Sequence, residues 1–114
     1  MKTFLNVMKA LSDPSRVKIM KMLQTRVMCV CEIKELLGIA QSTTSKHLKI
    51  LEAAGLVSFH KEGLWVNYTL ADGASSPYAA SLLGNLKHWL ADDLAIIELM
   101  KRMPNIQREN ICGS

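Results

Sequence analysis

The chain has 114 residues, of which 49% are hydrophobic and 21% charged, and carries a net charge of +4. That is enough for one domain with a true core, too little for two, and incompatible with disorder. Residues 1–34 carry seven Lys/Arg against two acids, whereas residues 71–114 carry four against five, which favours an anionic partner near the N-terminal and central elements.

The opening Met1–Asn6 lacks a long apolar leader, and no apolar run approaches a membrane span. A cytoplasmic protein with no membrane partner is expected, and its three cysteines read as thiols rather than as a disulfide framework. A first helix is predicted from about Thr3 to Leu11, with Phe4, Val7, Met8 and Leu11 on one face. Ser12-Asp13-Pro14 starts a second, because Asp13 suits the cap and Pro14 the first helical position. Its stripe is Val17, Met20 and Leu23, leaving Arg16, Lys18 and Lys21 mostly exposed. A third helix, Cys31 to Leu37, stops at Gly38, and a fourth runs from Gln41 to before Gly55 with Thr44, Leu48 and Leu51 inward.

After Gly55 the period changes from helix to strand. Val57–Lys61 and Leu64–Leu70 alternate about a Glu62-Gly63 turn, which predicts one β-hairpin. Asp72–Pro77 is a loop, and one long helix is expected from Tyr78 to Met103, ended by Pro104. Residues 1–104 would form a single DNA-binding and dimerisation domain, and residues 105–114 a mobile tail.

Two short helices joined by Gly38-Ile39-Ala40 match a helix-turn-helix, whose second helix enters the major groove. Its outward face would be Gln41, Ser42, Thr43, Ser45, Lys46 and Lys49, with His47 as a further DNA-facing polar group. Gln and Ser can read base edges, and Lys and Ser can hold phosphates. The hairpin would be a wing with His60, Lys61 and Gly63 at its tip, Lys61 supplying charge to the DNA backbone. A helical hairpin that merely packs is the alternative reading of the same pattern.

From about residue 5 to 103 the chain resembles the ArsR/SmtB winged-helix repressors of bacteria. The resemblance rests on Ala10–Arg16, Gln41–Leu51, Ala54-Gly55-Leu56-Val57 and Glu62–Val66. It implies a mainly α fold with a β-hairpin wing, a homodimer formed through the first and last helices, and an inverted-repeat operator in double-stranded DNA. An enzyme with a nucleophilic cysteine is not expected, because no histidine pairs with Cys29 in a recognisable pattern and the domain leaves little room for a substrate pocket. Two positions depart from the family's pattern. Ala40 stands where the family usually caps the reading helix with Ser or Thr, and Leu64 where a basic wing residue is common.

Met28-Cys29-Val30-Cys31-Glu32 resembles the Cys-Val-Cys motif of the arsenic-responsive members, which implies arsenite or antimonite as effector. Soft ions prefer thiolates. Residues two apart in a helix diverge by about 200°, so Cys29 and Cys31 can chelate one ion only where the helix start is frayed or unwound. Cys112 is the remaining thiol and the candidate third ligand; the alternative is an ordinary tail cysteine. A competing reading keeps the fold but makes the cysteines a redox or persulfide trigger. The last helix offers only His88 with Asp92 and Asp93, a set better suited to surface hydrogen bonds than to zinc.

Overall fold

A computed structural model describes residues 1–107. Helix α1 spans Lys2–Ala10 and α2 Pro14–Thr25, and Asp13 makes the corner between them. Its carboxylate accepts from the N–H groups of Ser15 and Arg16 at 2.8 and 3.2 Å, while Pro14 fills a position whose N–H has no helical partner. Burial pushes this carboxyl up, but the N–H bonds from Arg16 and Ser15 and the Arg16 charge bring it below the usual range.

Strand β1 (Met28–Cys29) leads directly into α3 (Val30–Leu37), and α4 (Gln41–Ala53) follows after a tight link. The wing strands are β2 (Val57–Glu62) and β3 (Trp65–Leu70). Both pairings are antiparallel, in the order β1-β3-β2, with Met28 opposite Tyr68 and Cys29 opposite Asn67. The expected lone hairpin is thus a three-stranded sheet. The added strand anchors Cys29 to the wing.

Helices α5 (Pro77–Leu86) and α6 (Leu94–Arg102) replace the single long helix expected over Tyr78–Met103, and a 3-10 turn, Met103–Asn105, follows. Leu90 adopts φ +66 between them, which costs a branched side chain about 1–3 kcal/mol. Two contacts hold the break. Asp93 caps α6 by accepting from the N–H groups of Ala95 and Ile96 at 3.0 and 3.3 Å. Lys21, expected mostly exposed, is only 6% exposed and donates Nζ to the carbonyls of Leu86 and Trp89 at 3.0 and 2.9 Å. Its ammonium therefore closes the carbonyl end of α5, where the helix dipole favours a cation.

The core lies where α1 to α4 meet the base of the wing. Val7, Ile19, Met20, Ile33, Leu48, Leu51 and Leu56 are each at most 1% exposed, and such burial contributes about 1.5–3 kcal/mol per side chain. Leu86 belongs to the same core at 4% exposure, and Ile106 packs against it from beyond α6.

Candidate nucleic-acid interface and cysteine site

The link between α3 and α4 depends on Gly38. It takes φ +69, and its N–H returns to the Lys34 carbonyl at 2.8 Å. Nothing lies within 4 Å of where a Cβ would sit, so the left-handed backbone, not crowding, selects glycine. Helix α4 packs through Thr44, Leu48 and Leu51, all buried. That leaves Gln41, Ser42, Thr43, Lys46 and Lys49 exposed on its other face, with Ser45 and His47 half-buried. Ala40 provides no side-chain cap, and Thr44 Oγ1 donates back to the Ala40 carbonyl at 3.0 Å. The first-turn N–H groups of α4 have no intrahelical partner and sit among exposed residues.

His47 is tied inward as well as lying on the reading helix. Its Nδ1 is 3.1 Å from Arg16 Nη1. A guanidinium can only donate, so Nδ1 is the accepting atom in this contact. Arg16 Nε donates to the Ala10 carbonyl at 2.8 Å, so one arginine joins the end of α1 to α4. On the wing, His60 and Lys61 are exposed, and Leu64 at the tip is 98% exposed. Strand pairing closes at Glu62 opposite Trp65, leaving a two-residue turn of Gly63 and Leu64. Gly63 carries the positive φ, +62, that a tight hairpin turn requires.

The cysteines straddle the start of α3. Cys29 is its N-cap, with extended backbone at φ −89 and ψ 167, whereas Cys31 lies in the first turn. The helix thus begins after Cys29, with Cys29 in extended and Cys31 in helical backbone, and its start is capped, not frayed. Glu32 completes a reciprocal capping box. Its Oε1 accepts from the Cys29 N–H at 3.0 Å, and the Cys29 sulfur faces the Glu32 N–H. Glu32 is buried and pairs with Arg26 at 3.3 Å.

Cys29 is a buried free thiol. Burial pushes its pKa up and the Glu32 carboxylate adds to this, against the N–H groups of Glu32 and Cys31, which favour the thiolate. Cys31 is half-buried and disulfide-bonded, against the expectation that the cysteines are thiols; Cys29 is free, so the two are not joined to each other. Cys112 lies outside the described residues. Among the described residues no cluster of three His, Cys, Asp or Glu is placed to hold a metal ion. His88 and Asp92 fall between α5 and α6, and Asp93 caps α6.

Sequence reasoning missed two features around the cysteine pair. Cys29-x-x-Glu32 has the spacing of a capping box, a signal that was present in the chain. The partnership of Arg26 with Glu32 had no local signal.

A helix-turn-helix with an exposed polar and basic second helix, followed by a β-wing, defines a winged helix DNA-binding regulator. The profile of bacterial regulatory proteins of the arsR family matches residues 13–58. An HTH-type transcriptional regulator of Methanocaldococcus jannaschii is 45% identical over 67 residues, covering 58% of this chain and 75% of that protein. The arsenical resistance operon repressor of Bacillus subtilis is 42% identical over 65 residues, covering 56% of this chain and 62% of that protein. Among solved structures, the homodimeric winged helix-turn-helix DNA-binding domain Mb0332 from Mycobacterium bovis superposes with a TM-score of 0.64 at 27% identity, covering 81% of each chain. The chain belongs to the arsR family of DNA-binding transcriptional regulators.

Proposed function

We propose that the protein is a homodimeric repressor that holds an inverted-repeat operator with α4 and releases it when arsenite or antimonite engages Cys29 and Cys31. The observation carrying this reading is the position of the cysteine pair, one at the N-cap and one in the first turn of the helix that leads into α4. Once the Cys31 disulfide is reduced, the donor set suits a soft trivalent metalloid, and the name of the Bacillus subtilis relative points the same way. Cys112 is the proposed third donor. Because Cys29 is held as a thiol, engagement releases its proton and takes the sulfur from its capping position over Glu32 N–H.

For DNA, Gln41, Ser42, Thr43 and Ser45 are the proposed base-edge and phosphate contacts. Lys46, Lys49 and Lys61 supply backbone charge, and His47 offers its outer ring nitrogen. The uncapped first turn of α4 presents N–H groups suited to a phosphate. The proposed dimer face includes α1 and α5, where Phe4 and Tyr78 form an edge-to-face pair at 5.2 Å and stay 39% exposed. The Mycobacterium bovis neighbour is homodimeric.

A second reading, a redox trigger, is favoured by the disulfide at Cys31. One experiment separates the two: operator release from reduced protein by arsenite, against release by peroxide that a reductant reverses. Release by peroxide alone, with arsenite inert, replaces the metalloid reading by the redox one.

A further inference from the structure

The segment from Arg102 to Ile106 is bonded directly to the last turn of α3 and, through Arg26, to its first. At the carbonyl end, Arg102 Nη1 donates to the Leu36 carbonyl at 3.0 Å. At the other end stands Arg26, just beyond α2. Its Nη2 donates to the carbonyls of Ile106 and Met103 at 2.6 and 3.4 Å, and the same nitrogen pairs with Glu32 Oε2 at 3.3 Å. Glu32 is 5% exposed, and its other oxygen caps the Cys29 N–H. One buried carboxylate therefore serves the capping box of Cys29 and the anchor of the C-terminal segment. Arg26 Nε is buried with no partner among the described residues, so the guanidinium is incompletely satisfied where it stands.

We propose that Arg26 and Arg102 clamp the segment 102–106 onto α3, and that Arg26 is the positioning residue through which a change at Cys29 reaches both the last helix and the reading helix. The inference rests on Cys29 being an effector donor. Drawing its sulfur off the Glu32 N–H dissolves half of the capping box. The same event shifts the Cys29 backbone, so the Glu32 carboxylate bonded to that N–H moves as well, and a buried carboxylate that moves takes its cation with it. The bond from Arg26 to Ile106 loosens in turn, and α3 is freed at its first turn while Arg102 still holds its last. A helix released at one end tilts, and α4 follows it through Gly38–Ala40. The clamped and the released α3 are the two discrete arrangements that such coupling requires.

The test uses the full chain, reduced, with arsenite as the probe, and compares Arg26→Gln, Glu32→Gln and Arg102→Gln. Hydrogen exchange without arsenite reads the clamp itself. Arg26→Gln should speed exchange in residues 30–37 and 99–107 by about tenfold while β2 and β3 keep wild-type protection. Unchanged exchange in residues 30–37 overturns the clamp. Operator affinity with and without arsenite reads the coupling. The release ratio should fall at least about fivefold in Arg26→Gln and Arg102→Gln, with arsenite still protecting the thiols from a thiol reagent. A wild-type ratio overturns the coupling role. Should Arg26→Gln fail to fold, Arg102→Gln decides, since it cuts the clamp without touching Glu32. Should the wild-type protein ignore arsenite, the proposed function falls, and the exchange arm alone decides the clamp.

Discussion

Cys29→Ser and Cys29→Ala should part company in stability while agreeing in function. Cys29 is the N-cap of α3, 2% exposed, and its sulfur faces the Glu32 N–H. A serine hydroxyl fills that position better than a thiol, because Ser is among the strongest N-caps and accepts a shorter bond. Alanine removes the acceptor and leaves a buried N–H unsatisfied, although Glu32 still caps Cys29 from its side. Losing the cap costs about 0.5–2 kcal/mol. A buried unsatisfied donor costs about 1–3 kcal/mol, and the two figures describe one event. Cys29→Ala should therefore lower stability by about 1–2 kcal/mol, and Cys29→Ser by less than about 0.5 kcal/mol. Urea unfolding of reduced protein, followed by circular dichroism, reads the difference as a midpoint shift at constant slope. Operator titrations should show both variants binding DNA and neither released by arsenite. If Cys29→Ser loses as much stability as Cys29→Ala, the sulfur is not the cap, and the link drawn between effector binding and α3 fails with it.

Lys21→Met should destabilise by about 1–3 kcal/mol, because the carbonyls of Leu86 and Trp89 lose a charged donor; a variant as stable as wild type would mean that the charge is a net cost. Burial lowers the Lys21 pKa from its ordinary 10.5, so the unfolded chain binds this proton more tightly. Wild type should accordingly gain stability over Lys21→Met as pH rises through the window just below 10.5, and a flat difference would refute the direction. Gln41→Ala should weaken operator binding more than non-specific binding, by about 1–3 kcal/mol. Lys49→Ala or Lys61→Ala should weaken both alike and flatten the salt slope; gel shifts across a salt series distinguish the two patterns. Phe4→Asp should yield monomers by light scattering and lower operator affinity with them. Leu86→Asp, which enters the subunit core, should unfold the chain instead.

The elements legible in the chain were those with local punctuation. Asp13-Pro14, Gly38 and Gly55 each fix a boundary by backbone chemistry, and the period-two pattern after Gly55 is the wing. The inward face of α4 followed from spacing alone, and of its expected outward residues all are exposed but Ser45 and His47, which are half-buried. What escaped depends on distant partners. Trp89-Leu90-Ala91 continues a helical hydrophobic pattern, so the break there was masked, although Asp93 before Leu94 is a capping signal. Lys21 is buried because carbonyls 65 and 68 residues away need a donor. A two-residue strand such as β1 has no period to detect. The Cys-Val-Cys spacing was visible, but its division between a strand end and a helix start was set by pairing with β3.

The central claim is that the cysteine pair governs operator release, and fluorescence anisotropy of labelled operator DNA tests it most directly. Reduced wild-type protein is titrated onto DNA from its own promoter at fixed salt, with and without arsenite, beside Cys31→Ser. Arsenite should weaken wild-type binding by about 5–150-fold, the usual range of coupling between two sites, and leave Cys31→Ser unmoved. Equal release of both proteins, or of neither, would contradict the account.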